Sequence, residues 1–175
     1  MTEKKTKVVL DADVINHFFR GGLLYMLPKI LPEFQFVVLD IVINELPDLV
    51  LSSLEAVIAN EKSIIVEKFS EFGEEKREYL RLTATSGLHL GRGESACMVY
   101  CRFHNDVVGS SNTKDIIDYC TEYNITYLTT NDFLYYAIQN GLISKDDAEK
   151  FIQKVRSMGS FPPVVDFDKY VCNKI

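Results

Sequence analysis

Five short apolar runs, separated by stretches of helical character, constrain the fold of this chain more than any other feature. They are rich in Val and Ile and too short for helices. Runs that are apolar throughout are typical of parallel strands covered by helices on both faces. The pattern therefore predicts an α/β domain with a roughly five-stranded parallel sheet. The runs are KVVLD (7–11), FQFVVLD (34–40), SIIVEKF (63–69), DVVGS (106–110) and NITYLT (124–129).

The stretches between and after these runs have helical spacing and recognisable helix ends. The first begins at a capping candidate in DADV and stops at Gly21-Gly22, and the second is broken near Pro47. With 175 residues, the chain fits one domain. We expect a single domain over 1–175, with a core at about 7–140 and a C-terminal helix and tail at 144–175.

Composition excludes several classes of protein. A net charge of −6 and a pI of about 5.1 argue against nucleic-acid binding by bulk electrostatics, although metal ions on clustered carboxylates reverse the charge locally. No window resembles a membrane span, and the polar start MTEKKTK is unlike a signal peptide, so we expect a cytoplasmic protein. Four cysteines without a CxxC pair, beside three histidines, argue against a zinc site.

Four acids fall at or just after the ends of the predicted strands. In open α/β sheets, function lies outside the carboxyl ends of the strands. Each acid alone also suits a helix N-terminus, but four beside apolar stretches predict a shared site. Carboxylates are the ligands that Mg²⁺ and Mn²⁺ prefer, and such a site can activate water in phosphodiester cleavage. The four candidates are Asp11, Glu45, Glu94 and Asp115.

From about Val8 to Gly159, this pattern resembles the PIN domains, a family of metal-dependent nucleases that includes toxins of toxin–antitoxin pairs. VVLDADVI resembles the first strand with its aspartate, VVLDIVINEL the second block, and LGRGESACMVYC the glycine-rich turn and acid-bearing helix of the third. The resemblance implies a three-layer PIN-like sandwich with strand order 3-2-1-4-5. It also implies Mg²⁺ or Mn²⁺ at Asp11, Glu45, Glu94 and Asp115, and hydrolysis of RNA.

The fourth block departs from the commonest PIN pattern. Many relatives have an aspartate directly after the fourth strand, where this chain has Ser110-Ser111-Asn112. Others have an asparagine there and an acid three residues on, as in SSNTKD, so the resemblance implies Asp115 as the fourth acid with Asn112 beside it. Loss of a carboxylate at Asn112 would weaken a second metal site. Asp132, in TTND, is a rival fourth acid, and its alternative role is in the cap region of the next helix.

Several other polar residues are candidates for contacts to a metal-bound water or to the substrate. Asp13 stands where relatives more often have Ser, Thr or Asn, and we expect it to cap the first helix beside the metal. Ser110 and Ser111 are candidates for a metal water or a phosphate, and Ser111 suits a simple turn equally well. The basic side chains Arg92 and Lys114 flank the acids, where they would contact phosphates or remain solvated.

Two alternative functions remain open. DADV also fits the start of haloacid dehalogenase-like phosphatases, with Asp11 as nucleophile, Asp13 as general acid and Asp146-Asp147 as the late acidic pair. That class leaves Glu45 and Glu94 unexplained. The other alternative is a PIN fold that binds RNA or protein without cutting. The resemblance further implies an antitoxin partner and a homodimer.

Overall fold

The structure is a computed structural model that describes residues 5–61, 63–84 and 90–175. Five strands form one parallel sheet: β1 (Lys7–Leu10), β2 (Gln35–Leu39), β3 (Ile64–Glu67), β4 (Val107–Gly109) and β5 (Tyr127–Leu128). Their order across the sheet is β3-β2-β1-β4-β5. The predicted α/β class and strand order are therefore confirmed, and they match the architecture that the PIN resemblance implies.

Strand β1 lies at the centre of the sheet because it pairs with β2 on one side and β4 on the other. Val8 aligns with Phe36 of β2 and with Val107 of β4. Val8, Val9 and Leu10 are all completely buried. Consecutive burial of this kind requires cover on both faces, which explains why the run is apolar without alternation.

The helices form two groups, one on each face of the sheet. Helix α1 packs on α4, α8 and α9, whereas α6 packs on α5 and α7 and on the central strands. The chain runs β1–β2–β3 in one direction across the sheet and then crosses to β4 and β5 in the other. Right-handed connections therefore place the helices between the first three strands on one face and those of the later crossovers on the other. The helices are α1 (Ala12–Gly21), α2 (Leu27–Ile30), α3 (Asp40–Ile43), α4 (Asp48–Glu61), α5 (Gly73–Ala84), α6 (Arg92–His104), α7 (Thr113–Glu122), α8 (Thr130–Gln139) and α9 (Lys145–Ser157).

The predicted break near Pro47 is confirmed. Helix α3 ends at Ile43 and α4 begins at Asp48. Proline has no backbone N–H and fixes its own φ angle, so it is accepted in the first turn of a helix and not in the interior. The break ends α3 within one turn of the sheet edge, and Glu45 follows directly in the link.

The segment after α8 packs onto the same hydrophobic core as the sheet. Gly21 of α1 lies so close to α9 that an added Cβ would come within 2.0 Å of the Phe151 ring. In the tail that follows α9, Phe167 and Cys172 are buried. The division into a core and a C-terminal extension stays a prediction. Within the described ranges, no helix has the length and apolar character needed to cross a membrane.

Candidate functional site

The candidate site lies at the carboxyl edge of the sheet, between β1 and β4. The strand order reverses here, because the chain leaves β1 toward β2 but later returns to β4 on the opposite side. The backbone N–H of Asp11 donates to the carbonyl of Gly109 at 2.8 Å, which holds the ends of the two strands together. Such a reversal leaves a crevice between diverging connections, where open α/β sheets bind ligands.

Asp11 is the N-cap of α1 and is 5% exposed. Its Oδ1 accepts from the Ala12 N–H at 2.8 Å, and its Oδ2 accepts from the Ser110 hydroxyl at 3.2 Å. Burial raises the pKa of Asp11 well above its usual value, and the charges of Asp13 and Glu94 raise it further.

Asp13 does not cap α1, so that expectation is wrong: the cap is Asp11, and Asp13 lies in the first turn. The Asp13 carboxylate accepts from the Val14 N–H at 2.6 Å and from the Ser111 N–H at 2.8 Å. Its pKa is raised to about 6 by burial, although these hydrogen bonds oppose the shift. Asp13 therefore ties α1 to the loop after β4.

Glu94 is 5% exposed in the first turn of α6. Its pKa is raised to about 7, first by burial and then by the charges of Asp115 and Asp13, while a hydrogen bond from the Asn112 side chain lowers it. The Asn112 amide Nδ2 also donates to Asp115 Oδ2 at 2.7 Å. Asn112 stands at the N-cap of α7 without a side-chain cap bond, and its amide nitrogen donates to the acids.

The acid cluster, defined as Asp11, Asp13, Glu94 and Asp115, thus comes together from three segments far apart in the sequence. Glu45 lies at its rim. It is exposed, and its Oε1 accepts from the Gly93 N–H at 2.9 Å, one residue before Glu94.

A glycine at position 93 is required for this close approach of α6 to the segment after α3. A Cβ added to Gly93 would lie 2.4 Å from Glu45 Oε2. The second glycine of the LGRGES turn is therefore what allows a backbone N–H to reach the Glu45 carboxylate.

The other candidates surround the cluster. Ser110 is completely buried and holds Asp11, as described above. Arg92 is exposed, bonds to Tyr79 and is attracted to Glu45, and both contacts raise its pKa. Lys114 is exposed in the first turn of α7.

Asp132, the rival fourth acid, is held by hydrogen bonds to a helix cap and to the C-terminal tail. It is 1% exposed and accepts from Thr129 N at 2.8 Å in a capping box at the start of α8. The Tyr170 hydroxyl and the Lys174 ammonium each donate to its carboxylate at 2.7 Å. These bonds outweigh desolvation and lower its pKa. The alternative role in the cap region is the one observed.

Asp146-Asp147 does not reach the site either. Ser144 caps α9, and its hydroxyl donates to Asp147 Oδ2 at 2.7 Å in a second capping box. Asp147 lines a surface cavity with Gly21, at the end of α1 opposite Asp11. Ten helical residues separate these ends by about 15 Å, so the late acidic pair that a phosphatase needs is absent from the site.

A polar network that the sequence did not indicate supports the loop after β4. His17 Nδ1 lies 2.8 Å from Thr130 Oγ1, and the Ser111 hydroxyl donates to the same oxygen at 2.7 Å. Burial lowers the pKa of His17 to about 4, so the ring is neutral near pH 7. The network fixes the loop whose N–H groups serve the acids. No motif spacing links His17 to Thr130, 113 residues away.

The donor set suits a hard divalent cation. All of its atoms are carboxylate oxygens, and no described lysine or arginine forms an ion pair with Asp11, Asp13 or Glu94. Over the described ranges, no three His, Cys, Asp or Glu side chains are already arranged as metal ligands. The fit to a hard cation therefore rests on the chemistry of the carboxylates alone.

The sequence and the fold were compared with known proteins. No family model and no curated protein matches the sequence. Among solved structures, the chain is similar to a PilT N-terminus (PIN) domain protein from the hyperthermophilic archaeon Sulfolobus solfataricus P2, with 15% identity and a TM-score of 0.49. The alignment covers 76% of this chain and 94% of that one.

Proposed function

We propose that this protein is a nuclease that hydrolyses phosphodiester bonds in RNA with the help of Mg²⁺ or Mn²⁺. The observation that carries the proposal is the acid cluster, which places four carboxylates without ion-pair partners among the described residues at the strand-order reversal. Burying like charges without compensation is unfavourable, so such a cluster implies a cationic ligand. RNA is the substrate that the PIN resemblance implies.

The residues have distinct proposed tasks. Asp11, Glu45, Glu94 and Asp115 would hold the cation, which when bound lowers the pKa of water and neutralises charge on the phosphate. Ser110 orients Asp11 through its hydrogen bond.

The remaining polar groups would act around the cation. Asn112 holds Glu94 and Asp115 in place. The Ser111 N–H holds Asp13 beside the proposed cation site. Arg92 and Lys114, both exposed, would contact the phosphates on either side.

The test is cleavage of a labelled single-stranded RNA at millimolar Mg²⁺ or Mn²⁺, with EDTA as the blank. We expect Asp11→Asn to lower the rate by more than the roughly tenfold to hundredfold typical for residues that only support metal ligands. Asp146→Asn is the matched control, because this aspartate is exposed on α9 and should leave cleavage unchanged. Equal rates for the Asp11→Asn variant and the unmodified protein would refute the proposal.

Asp13→Asn separates this proposal from the phosphatase alternative. In a nuclease Asp13 acts beside the metal ligands, so the substitution should impair cleavage by roughly tenfold to hundredfold. In a phosphatase of the DxD type, the same change removes the general acid and abolishes hydrolysis of a phosphate monoester. An antitoxin partner and a homodimer stay predictions of the resemblance.

A further inference from the structure

A cavity of about 250 Å³ lies beside the acid cluster, between the loop after β4, the start of α8 and the C-terminal tail. None of the candidate functions assigns a role to it. We call it the tail cavity. Its lining includes Ser111, Thr113, Tyr127, Asn131, Tyr170 and Lys174.

The tail cavity and the acid cluster share the loop after β4. The Ser111 N–H binds Asp13, while the Ser111 hydroxyl accepts from the Thr130 N–H at 2.8 Å on the cavity side. Thr113 precedes Asp115 by two residues in the first turn of α7. A group held in the cavity would therefore lie next to a phosphodiester bond at the cluster.

Asn131 gives the cavity an unused hydrogen-bond acceptor. Its side chain is 4% exposed, and its Nδ2 donates to the carbonyl of Pro163 at 3.0 Å. A carbonyl only accepts, so this bond fixes which end of the amide is nitrogen. The Asn131 Oδ1 is buried without a hydrogen-bond partner among the described residues. Buried acceptors are nearly always paired, so a buried oxygen without a described partner in a residue of the cavity wall favours a ligand that brings an N–H donor.

The charges around the cavity are already compensated. Lys174 pairs with Asp132, and Tyr170 donates to the same carboxylate. The Lys174 ammonium also lies 4.2 Å from the centre of the Tyr127 ring. Lys174 therefore covers one face of Tyr127, and the wall keeps the other aromatic surface and one acceptor without a described partner. This combination suits a flat, neutral group with an N–H donor better than a phosphate.

We propose that the tail cavity binds the nucleobase of a nucleotide next to the bond that is cut. A base offers an aromatic face for Tyr170, or for the side of Tyr127 that Lys174 leaves uncovered, and an N–H donor for Asn131 Oδ1. Proteins that hold single strands by stacking use the same combination. The assignment of the ligand as RNA rests on the proposed nuclease function. Base binding itself requires neither metal nor cleavage.

The test is an NMR titration of the full chain, in EDTA, with uridine and guanosine, and with ribose as the probe that lacks a base. We expect saturable shifts of the Asn131 side-chain amide and of the Ser111 and Tyr127 resonances with at least one nucleoside, and none with ribose. Absence of saturable shifts with both nucleosides, or equal shifts with ribose, would overturn the proposal.

Variants separate base binding from stability. Asn131→Leu removes the acceptor and should weaken nucleoside binding by roughly tenfold or more. Asn140→Leu is the matched control, because Asn140 at the other end of α8 also donates to a backbone carbonyl, that of Ile30 at 2.8 Å. Should Asn131→Leu fail to fold, Thr113→Trp fills the cavity from an exposed position and should block binding equally.

The two proposals fail separately. Nucleoside binding without RNA cleavage would refute the nuclease and support the tail cavity as a base site of a non-cutting protein. Cleavage with unchanged nucleoside affinity in Asn131→Leu and Thr113→Trp would support the nuclease and refute the base site. Binding of a simple amide as tight as that of the nucleosides would also refute it, because it would indicate a protein side chain as occupant.

Discussion

Asp11 and Asp132 occupy similar places in the sequence and opposite electrostatic environments. Each follows a strand, begins or nearly begins a helix, and is at most 5% exposed. Asp132 has an ammonium, a phenol and a backbone N–H as partners, and its pKa is lowered. Asp11 faces two further acids, and its pKa is raised.

The partners of a buried carboxylate indicate whether it stabilises the fold or binds a cationic ligand. Where the chain supplies its own cation, as Lys174 does for Asp132, the acid stabilises the fold. Where acids lie together and no basic side chain among the described residues pairs with them, we expect a ligand to supply the positive charge. Asp13 and Glu94 have raised pKa values and belong with Asp11.

The largest effect on stability is expected for Asp132→Asn. Removing the charge leaves the Lys174 ammonium unpaired and loosens both the α8 cap and the tail, which should cost about 3 kcal/mol. In thermal melts the midpoint should fall by about 6–12 °C for a chain of this size. Asp146→Asn, on the exposed start of α9, is the control. A drop of equal size in that control would remove the distinction between the two kinds of acid.

Added Mg²⁺ should stabilise the protein through the acid cluster. At a metal concentration a hundredfold above Kd, binding to the folded state alone contributes about 2.7 kcal/mol, or about 5–10 °C in the melting midpoint. Melts with and without Mg²⁺ should show this shift in the unmodified protein and in Asp132→Asn. They should show none in Asp11→Asn or Glu94→Gln. A full shift in both cluster variants would place the cation elsewhere.

The pH dependence of the free energy of unfolding should also distinguish the acid cluster from the surroundings of Asp132. The pKa values of Asp13 and Glu94 are raised in the folded state, to about 6 and about 7, so the folded chain holds protons that the unfolded chain releases. This stability is complete below the unfolded values, near pH 4, and is lost as pH rises through the folded values. In EDTA the melting midpoint should therefore fall by a few degrees between about pH 5 and pH 8. Asp13→Asn should flatten the curve, and an unchanged slope would contradict the assignment.

The smallest effect on stability is expected for Gly93→Ala. The new Cβ would displace the Glu45 carboxylate, which is the end of a flexible side chain, while alanine favours the helix by roughly 0.5–1 kcal/mol. We expect a nearly unchanged melting midpoint and a cleavage rate lower by roughly tenfold. Ser95→Ala is the matched control on α6, because the Ser95 hydroxyl is buried without a described partner. An unchanged rate in Gly93→Ala would remove Glu45 from the site.

Most of the fold could be predicted from the sequence because strand and helix patterns are local. The five apolar runs coincide with the five strands, and the break at Pro47 separates α3 from α4. The least accurate strand was the last: NITYLT predicts six residues, whereas β5 has two. Asn124 has a φ of 52°, which ends the turn after α7 and delays the start of the strand.

The site was predicted less completely. Glu94 lies close enough to both Asp11 and Asp115 to interact with their charges, and the role of these acids as metal ligands stays a prediction. The N-cap of α1 was predicted at Asp13 and lies at Asp11, and no sequence pattern indicated the link between His17 and Thr130. The cap was misplaced by two residues within one turn, whereas the link between His17 and Thr130 joins side chains that meet only after folding.

The sequence alone determined the α/β class, the approximate strands and the acids that follow them. Apolar periodicity and the residue preferences at the ends of strands and helices act over only a few residues. Only the tertiary structure decided which acids share a site. Folding places Asp132 beside the Lys174 ammonium, 42 residues away in the sequence, and places Asp11 beside Glu94. Electrostatic interactions depend on distance in space and not on distance along the chain.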